Sequence, residues 1–161
     1  MSKTSSLFAV DGKLSEAIDG FVPRQAQTDM AVAVENTIKN KAPLIVEAGT
    51  GTGKTFAYLA PALLSERKTI ISTGTKNLQE QLFHRDLPLI KEALGSNSKT
   101  ALLKGRANYL CLHRLRQHGG NSTLVDRQTL TELTQVREWA SSTKTGDMGD
   151  MRTLAEDAKV L

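Results

Sequence analysis

Three glycines alternate with threonines in Ala48-Gly49-Thr50-Gly51-Thr52-Gly53, and the run closes on Lys54-Thr55. A short apolar segment, Leu44-Ile45-Val46-Glu47-Ala48, precedes it and reads as a buried strand, while Lys54 to Leu64 reads as a helix. A glycine turn between a strand and a helix is the setting of a phosphate-binding loop. Glycines let the backbone curl until successive N–H groups face phosphate oxygens, and the helix adds the positive end of its dipole. In this reading Ala48, Gly49, Thr50, Gly51, Thr52 and Gly53 form the cradle. Lys54 reaches the β and γ phosphates of a nucleotide, and Thr55 offers its hydroxyl to Mg²⁺. Ala48 stands where the usual G-x-x-x-x-G-K-[ST] pattern has glycine, and a glycine turn without ligand is the plain alternative.

The surrounding pattern extends the same architecture. Met30, Ala33, Val34, Thr37 and Ile38 share a helical face; Thr69 to Thr73 reads as a second strand; Leu78 and Leu82 lie on a following helix that Pro88 is expected to kink or end. Thr100 to Leu103 reads as a third strand, with helices from about Asn108 to His118 and through Leu130, Leu133, Val136 and Ala140. Ser141 to Gly149 has loop composition, and Trp139 reads as packing for its helix. The alternation predicts an α/β fold: a partial parallel sheet with helices on both faces, followed by a helical segment.

Composition narrows the function classes. The longest apolar stretch, Ala57 to Leu64, contains Pro61 and falls well short of the roughly 20 residues that a bilayer span needs, so no membrane role is expected. The first ten residues do not read as a secretory signal, and Cys111 is the only cysteine, which fits a reducing, cytoplasmic setting. The net charge of +4 is unevenly spread. Between Ala93 and Val125 there are Lys99, Lys104, Arg106, Arg114 and Arg116 and no acidic residue, as on a solvated basic face or a phosphate-backbone contact.

Four segments, in order, resemble the XPD-like, iron–sulfur branch of superfamily 2 helicases and, within it, the bacterial DinG/YoaA family. Arg24-Gln25-Ala26-Gln27-Thr28-Asp29-Met30 is similar to the family's segment upstream of the phosphate loop, and Glu47 to Thr55 to its motif I. Ser72 to Leu82 is similar to motif Ia, and Lys104 to Cys111 to the segment ending in the first cluster cysteine. The resemblance implies a RecA-like P-loop NTPase, with residues 1–104 as the start of the first ATPase domain and 105–161 as the start of an iron–sulfur insertion. It implies ATP and Mg²⁺ as cofactors, with Arg24 and Gln27 beside the nucleotide, and a [4Fe-4S] cluster in a full-length parent only. It implies single-stranded DNA as partner, met by Thr73, Thr75, Lys76, Gln81, Lys104 and Arg106, together with replication or repair proteins.

These residues also have readings of their own. The Gln27 amide can pair with the N7 and N6 edge of adenine, or simply face solvent. Thr73, Thr75 and Gln81 can hold sugar-phosphate, or serve as capping and turn residues. Taken alone, Cys111 reads as a core thiol; the resemblance makes it the first of four cluster ligands, the other three lying beyond Leu161. His84, His113 and His118 read as surface residues. No Asp follows a four-residue apolar strand, and Glu156-Asp157 has only Leu154-Ala155 before it, so the acidic metal-holding motif is missing. The chain is therefore expected to be an N-terminal piece of a 5′-to-3′ DNA helicase that binds ATP without hydrolysing it. Two other readings stay open: a phosphotransferase clamping a small substrate with Lys104, Arg106 and Arg114, and a non-catalytic DNA-binding module.

Overall fold

A computed structural model describes residues 3–117 and 127–151. The chain divides into two compact units, Met1–Leu102 and Leu103–Leu161.

The first unit is helical. It contains α1 (Lys3–Leu7), α2 (Lys13–Ala17), α3 (Gln25–Asn40), α4 (Lys54–Leu64), α5 (Lys76–Gln81), a π-helical turn (Leu82–Asp86) and α6 (Leu87–Leu94). Local chemistry sets the ends. Gly53 (φ 78°) turns the chain into α4, the Thr75 hydroxyl accepts the Leu78 N–H at the start of α5, and Gly95 (φ 62°) closes α6 in the left-handed conformation. Pro88 does not end the helix: α5, the π-helical turn and α6 run on without a break, and the wider π turn lies directly before the proline, which has no N–H to give to the preceding turn. Ala31 of α3 and Ala57 and Ala60 of α4 are fully buried, and such small side chains let two helix backbones approach closely. Phe8, Leu14, Leu59 and Ile90 fill the rest of the core, and Phe21 bridges Phe8 and Phe56 with ring centroids 6.4 Å from each.

The expected parallel sheet is not there. Residues 44–48, 69–73 and 100–103 carry no strand structure, and the single β pairing among the described residues is an isolated antiparallel bridge between Tyr109 and Asp147. The α/β expectation is thus corrected to a helical architecture. β-Branched runs fit a pleated, half-buried surface, but a strand also needs a neighbour to take its N–H and C=O groups. Here these runs lie open to solvent, Ile45 at 97% and Ile70 at 91% exposure.

In the second unit a short 3₁₀ turn (Arg106–Asn108) leads to α7 (Leu112–Gln117), followed by α8 (Arg127–Ser142) and a second 3₁₀ turn (Met148–Asp150). Leu133 and Val136 of α8 are buried and Trp139 is half-buried, while Leu130, read as part of the same apolar pattern, is 42% exposed. His118 and the Glu156-Asp157 pair lie outside the described residues.

Burial separates two substitutions that look alike in the sequence. Leu59→Ala should cost about 2–5 kcal/mol in urea unfolding. Ile45→Ser should stay within about 0.5 kcal/mol, because its side chain already meets water.

Candidate nucleotide and nucleic-acid site

Side-chain donors hold the glycine loop through its carbonyl oxygens. The Lys54 ammonium donates to the carbonyls of Ala48 at 2.7 Å and Gly49 at 2.5 Å, and the Thr52 hydroxyl donates to Gly49 at 2.9 Å. Two further donors come from the first turn of α3 and its cap: the Arg24 guanidinium donates to the Gly51 carbonyl, and the Gln27 amide donates to the Gly53 carbonyl at 3.0 Å. Gly51 and Gly53 both have positive φ, 75° and 78°. The consequence is directional. With its oxygens bound to protein donors, the loop has its N–H groups and the unpaired first turn of α4 to offer an anion.

Gln27 is only 5% exposed, and a Cβ built on Gly53 would collide with its amide nitrogen. Sequence reasoning placed Gln27 at adenine; the structure places one of its amide N–H groups on the loop. The third glycine is thus required by the close approach of Gln27 as well as by backbone conformation. Thr55 stands in the first turn of α4. This loop fits a Mg²⁺–nucleotide: it brings together a cation, a hydroxyl, backbone N–H groups and a helix dipole.

The other expected site residues are differently committed. Lys76 and Gln81 are exposed on α5, Thr73 donates to the Thr75 carbonyl at 3.3 Å, and the Thr75 hydroxyl serves as the helix cap. In the second unit, Lys104 is 2.6 Å from the Asp147 carboxylate, both side chains largely out of solvent, and Asp147 also accepts the Gly149 N–H at 2.9 Å. The Lys104 N–H donates to the Tyr109 hydroxyl at 2.9 Å. Lys104 therefore ties its own unit together. Arg106, Arg114 and Arg116 remain exposed.

Cys111 is exposed and precedes α7, so the core-thiol alternative is corrected. Its pKa is lowered, first by the Arg114 backbone N–H, with further help from the His113 N–H and the Arg114 and Arg106 charges. A [4Fe-4S] cluster requires four thiolates, and this sequence has one, so the chain's own donors do not fit that group. No cluster of three or more metal-ligating side chains occurs among the described residues. Nor is any helix among them long and apolar enough to cross a membrane. Sequence reasoning did not single out Asp86, which is 3% exposed and accepts from Arg85 Nε at 2.8 Å and from the Gln81 amide at 3.3 Å.

The pattern of the DEAD/DEAH box helicase family matches residues 27–145. The ATP-dependent DNA helicase YoaA of Haemophilus influenzae is 57% identical over 160 residues, covering 99% of this chain and 25% of that protein. The ATP-dependent helicase DinG of Mycobacterium tuberculosis is 37% identical over 154 residues, covering 83% of this chain and 23% of that protein. The 3′-5′ exonuclease DinG of Bacillus subtilis is 34% identical over 142 residues, covering 86% and 15%. No solved structure matches significantly. The chain belongs to the DEAD/DEAH box helicases and, among them, to the YoaA/DinG family; it spans about a quarter of the length of the first of these relatives.

Two measurements check the local geometry. Gly53→Ala should destabilise by about 1–3 kcal/mol through strain and collision with Gln27. In a Gln27→Ala background the same substitution should cost less, so that a double-mutant cycle returns a coupling of at least about 0.5 kcal/mol. The Cys111 thiolate should form below the ordinary thiol range near 8.5, so its alkylation rate should reach half-maximum at a lower pH than that of a cysteine peptide.

Proposed function

We propose that this chain, as a member of that family, forms the nucleotide-binding part of an ATP-dependent DNA helicase acting in DNA repair or replication restart and moving 5′ to 3′. The observation that carries the reading is the glycine loop braced by Arg24, Gln27 and Lys54. Bound Mg²⁺–ATP supplies the phosphoryl group whose transfer to water drives movement. With nucleotide present, Lys54 would exchange the carbonyls of Ala48 and Gly49 for phosphate oxygens, the N–H groups of the loop would receive the rest, and Thr55 would hold the metal. Arg24 and Gln27 keep the loop's oxygens turned toward protein, which spares the phosphates their repulsion. The free N–H and the oxygen of the Gln27 amide are what it has left for an adenine edge.

On the nucleic-acid side, exposed Lys76, Gln81, Lys99, Arg106, Arg114 and Arg116 are the backbone contacts, and Thr73 contributes its hydroxyl. Lys104 is withdrawn from that set by Asp147. The same ion pair weighs against a phosphotransferase clamp that would use Lys104 with Arg106 and Arg114. Hydrolysis needs charge stabilisation from several directions, and the acidic metal holder and an arginine finger are not supplied by Lys54 and Thr55. These 161 residues alone therefore bind nucleotide and strand without turnover.

Titration with a fluorescent ATP analogue tests the loop: Lys54→Ala should weaken binding at least about 100-fold, as loss of a charge-assisted contact to phosphate implies. Equal affinities would refute the assignment. Oligo-dT binding should weaken with salt at a logarithmic slope of roughly −0.7 per phosphate contact, with Arg106→Ala reducing the slope. Arg106→Ala with an unchanged slope would remove Arg106 from the strand path.

A further inference from the structure

Lys104 belongs to the basic stretch between Ala93 and Val125, yet its ammonium lies in a recess built by residues far along the same unit. Asp147 Oδ2 is 2.6 Å from Lys104 Nζ, and the two side chains are 9% and 11% exposed. Gly149 completes the recess. A Cβ built there would stand 3.2 Å from both Lys104 Nζ and Asp147 Oδ1, so the missing side chain is what gives the ammonium its room.

The backbone around the pair is also held by bonds that do not involve it. The Asp147 N–H donates to the Thr145 hydroxyl at 3.1 Å, and Asp147 Oδ1 accepts the Gly149 N–H at 2.9 Å. The Gly146 carbonyl accepts the Leu110 N–H at 2.8 Å, Tyr109 and Asp147 form the β bridge, and the Lys104 N–H is fixed on the Tyr109 hydroxyl at 2.9 Å. Opening the ion pair therefore swings one flexible four-carbon stem while these bonds keep the two segments together. The energetic balance is close as well. Attraction in a desolvated pair is offset by lost hydration, and opening returns both ions to water at once.

We propose that Asp147 is an autoinhibitory latch on strand binding: it stores the Lys104 ammonium in the recess, and release adds one phosphate contact to those of Arg106, Arg114 and Arg116. The inference rests on the nucleic-acid reading above. The released group takes a strand phosphate, because an ammonium has three donors and no acceptor and brings charge without reading bases. Strand affinity is then scaled by the fraction of molecules in which the latch is open.

Two measurements on the whole chain test the latch, and the first needs no nucleic acid. An amine-acylating reagent, followed by peptide mapping, should modify Lys104 about ten-fold or more slowly than exposed Lys144 of the same unit, since reaction waits for opening. Asp147→Asn keeps an oxygen for the Gly149 N–H and turns an amide N–H on the ammonium, so Lys104 should then react within about two-fold of the Lys144 rate. The second measurement follows oligo-dT affinity against salt. Asp147→Asn should steepen the logarithmic slope by about 0.7, one phosphate contact, and adding Lys104→Ala should remove that increment. Asp150→Asn, which removes a nearby exposed acid and changes the net charge equally, should leave the slope as it is. Gly149→Ala crowds the ammonium with no change of charge; it should act in the direction of Asp147→Asn in both measurements, and it decides by itself if Asp147→Asn fails to fold. Lys104 reacting as fast as Lys144 in the wild type overturns the latch and leaves the strand reading in place. So does an Asp147→Asn slope equal to that of the wild type or of Asp150→Asn. A wild type that binds no oligo-dT at low salt removes the strand reading, and the latch with it.

Discussion

The candidate site depends on the capture of carbonyl oxygens. A loop of alternating glycines has no side chains with which to hold itself, and its backbone groups demand partners wherever water is excluded. Here the donors arrive from outside the loop: Arg24 and Gln27 from the start of α3, and Lys54 from the start of α4. Both helices are locked to each other through Ala31, Ala57 and Ala60, so the braces are set by the core and not by the loop. The shape of the anion cradle is therefore a property of helix packing. The glycines allow that shape, and the alanines position the groups that select it.

What could be read from the sequence divides along the same line. The helix from Lys54 to Leu64 was readable from its glycine start and apolar run, although Pro61 lies inside it. Leu133 and Val136 on α8 were readable from their spacing. The runs at 44–48, 69–73 and 100–103 misled, because side-chain type reports what surface a segment would suit and says nothing about whether a neighbouring chain is there to pair with it. Gln27 was read from the sequence as facing an adenine edge, and the structure puts one of its amide N–H groups on the Gly53 carbonyl; an amide presents the same donor to either. Asp86 left no trace in the sequence. A buried acid becomes informative only when folding supplies the donors, here Arg85 and Gln81, that hold it.

Charge shows the same dependence on partners. Five basic residues between Ala93 and Val125 look equivalent in the sequence, yet Lys104 is spent on Asp147 while Arg106 faces solvent two residues later. A largely desolvated pair of this kind gains little net energy, because taking both ions out of water offsets their attraction. Its value is geometric: Lys104 and Asp147, with Tyr109 and Gly149 hydrogen-bonded beside them, fix the start of the second unit against the Met148–Asp150 turn.

The π-helical turn from Leu82 to Asp86 changes the angular phase of the whole of α6. One residue added to a helix rotates every later side chain by roughly 100° about the axis. That rotation carries the chain from the exposed side chains of α5, Leu78 among them, to α6, where Leu87, Ile90 and Ala93 all face the core. Without the extra residue, either α5 would turn its polar amides inward or α6 would turn its apolar stripe to water. The local widening is a gear between two surfaces, and Asp86 sits on its last tooth.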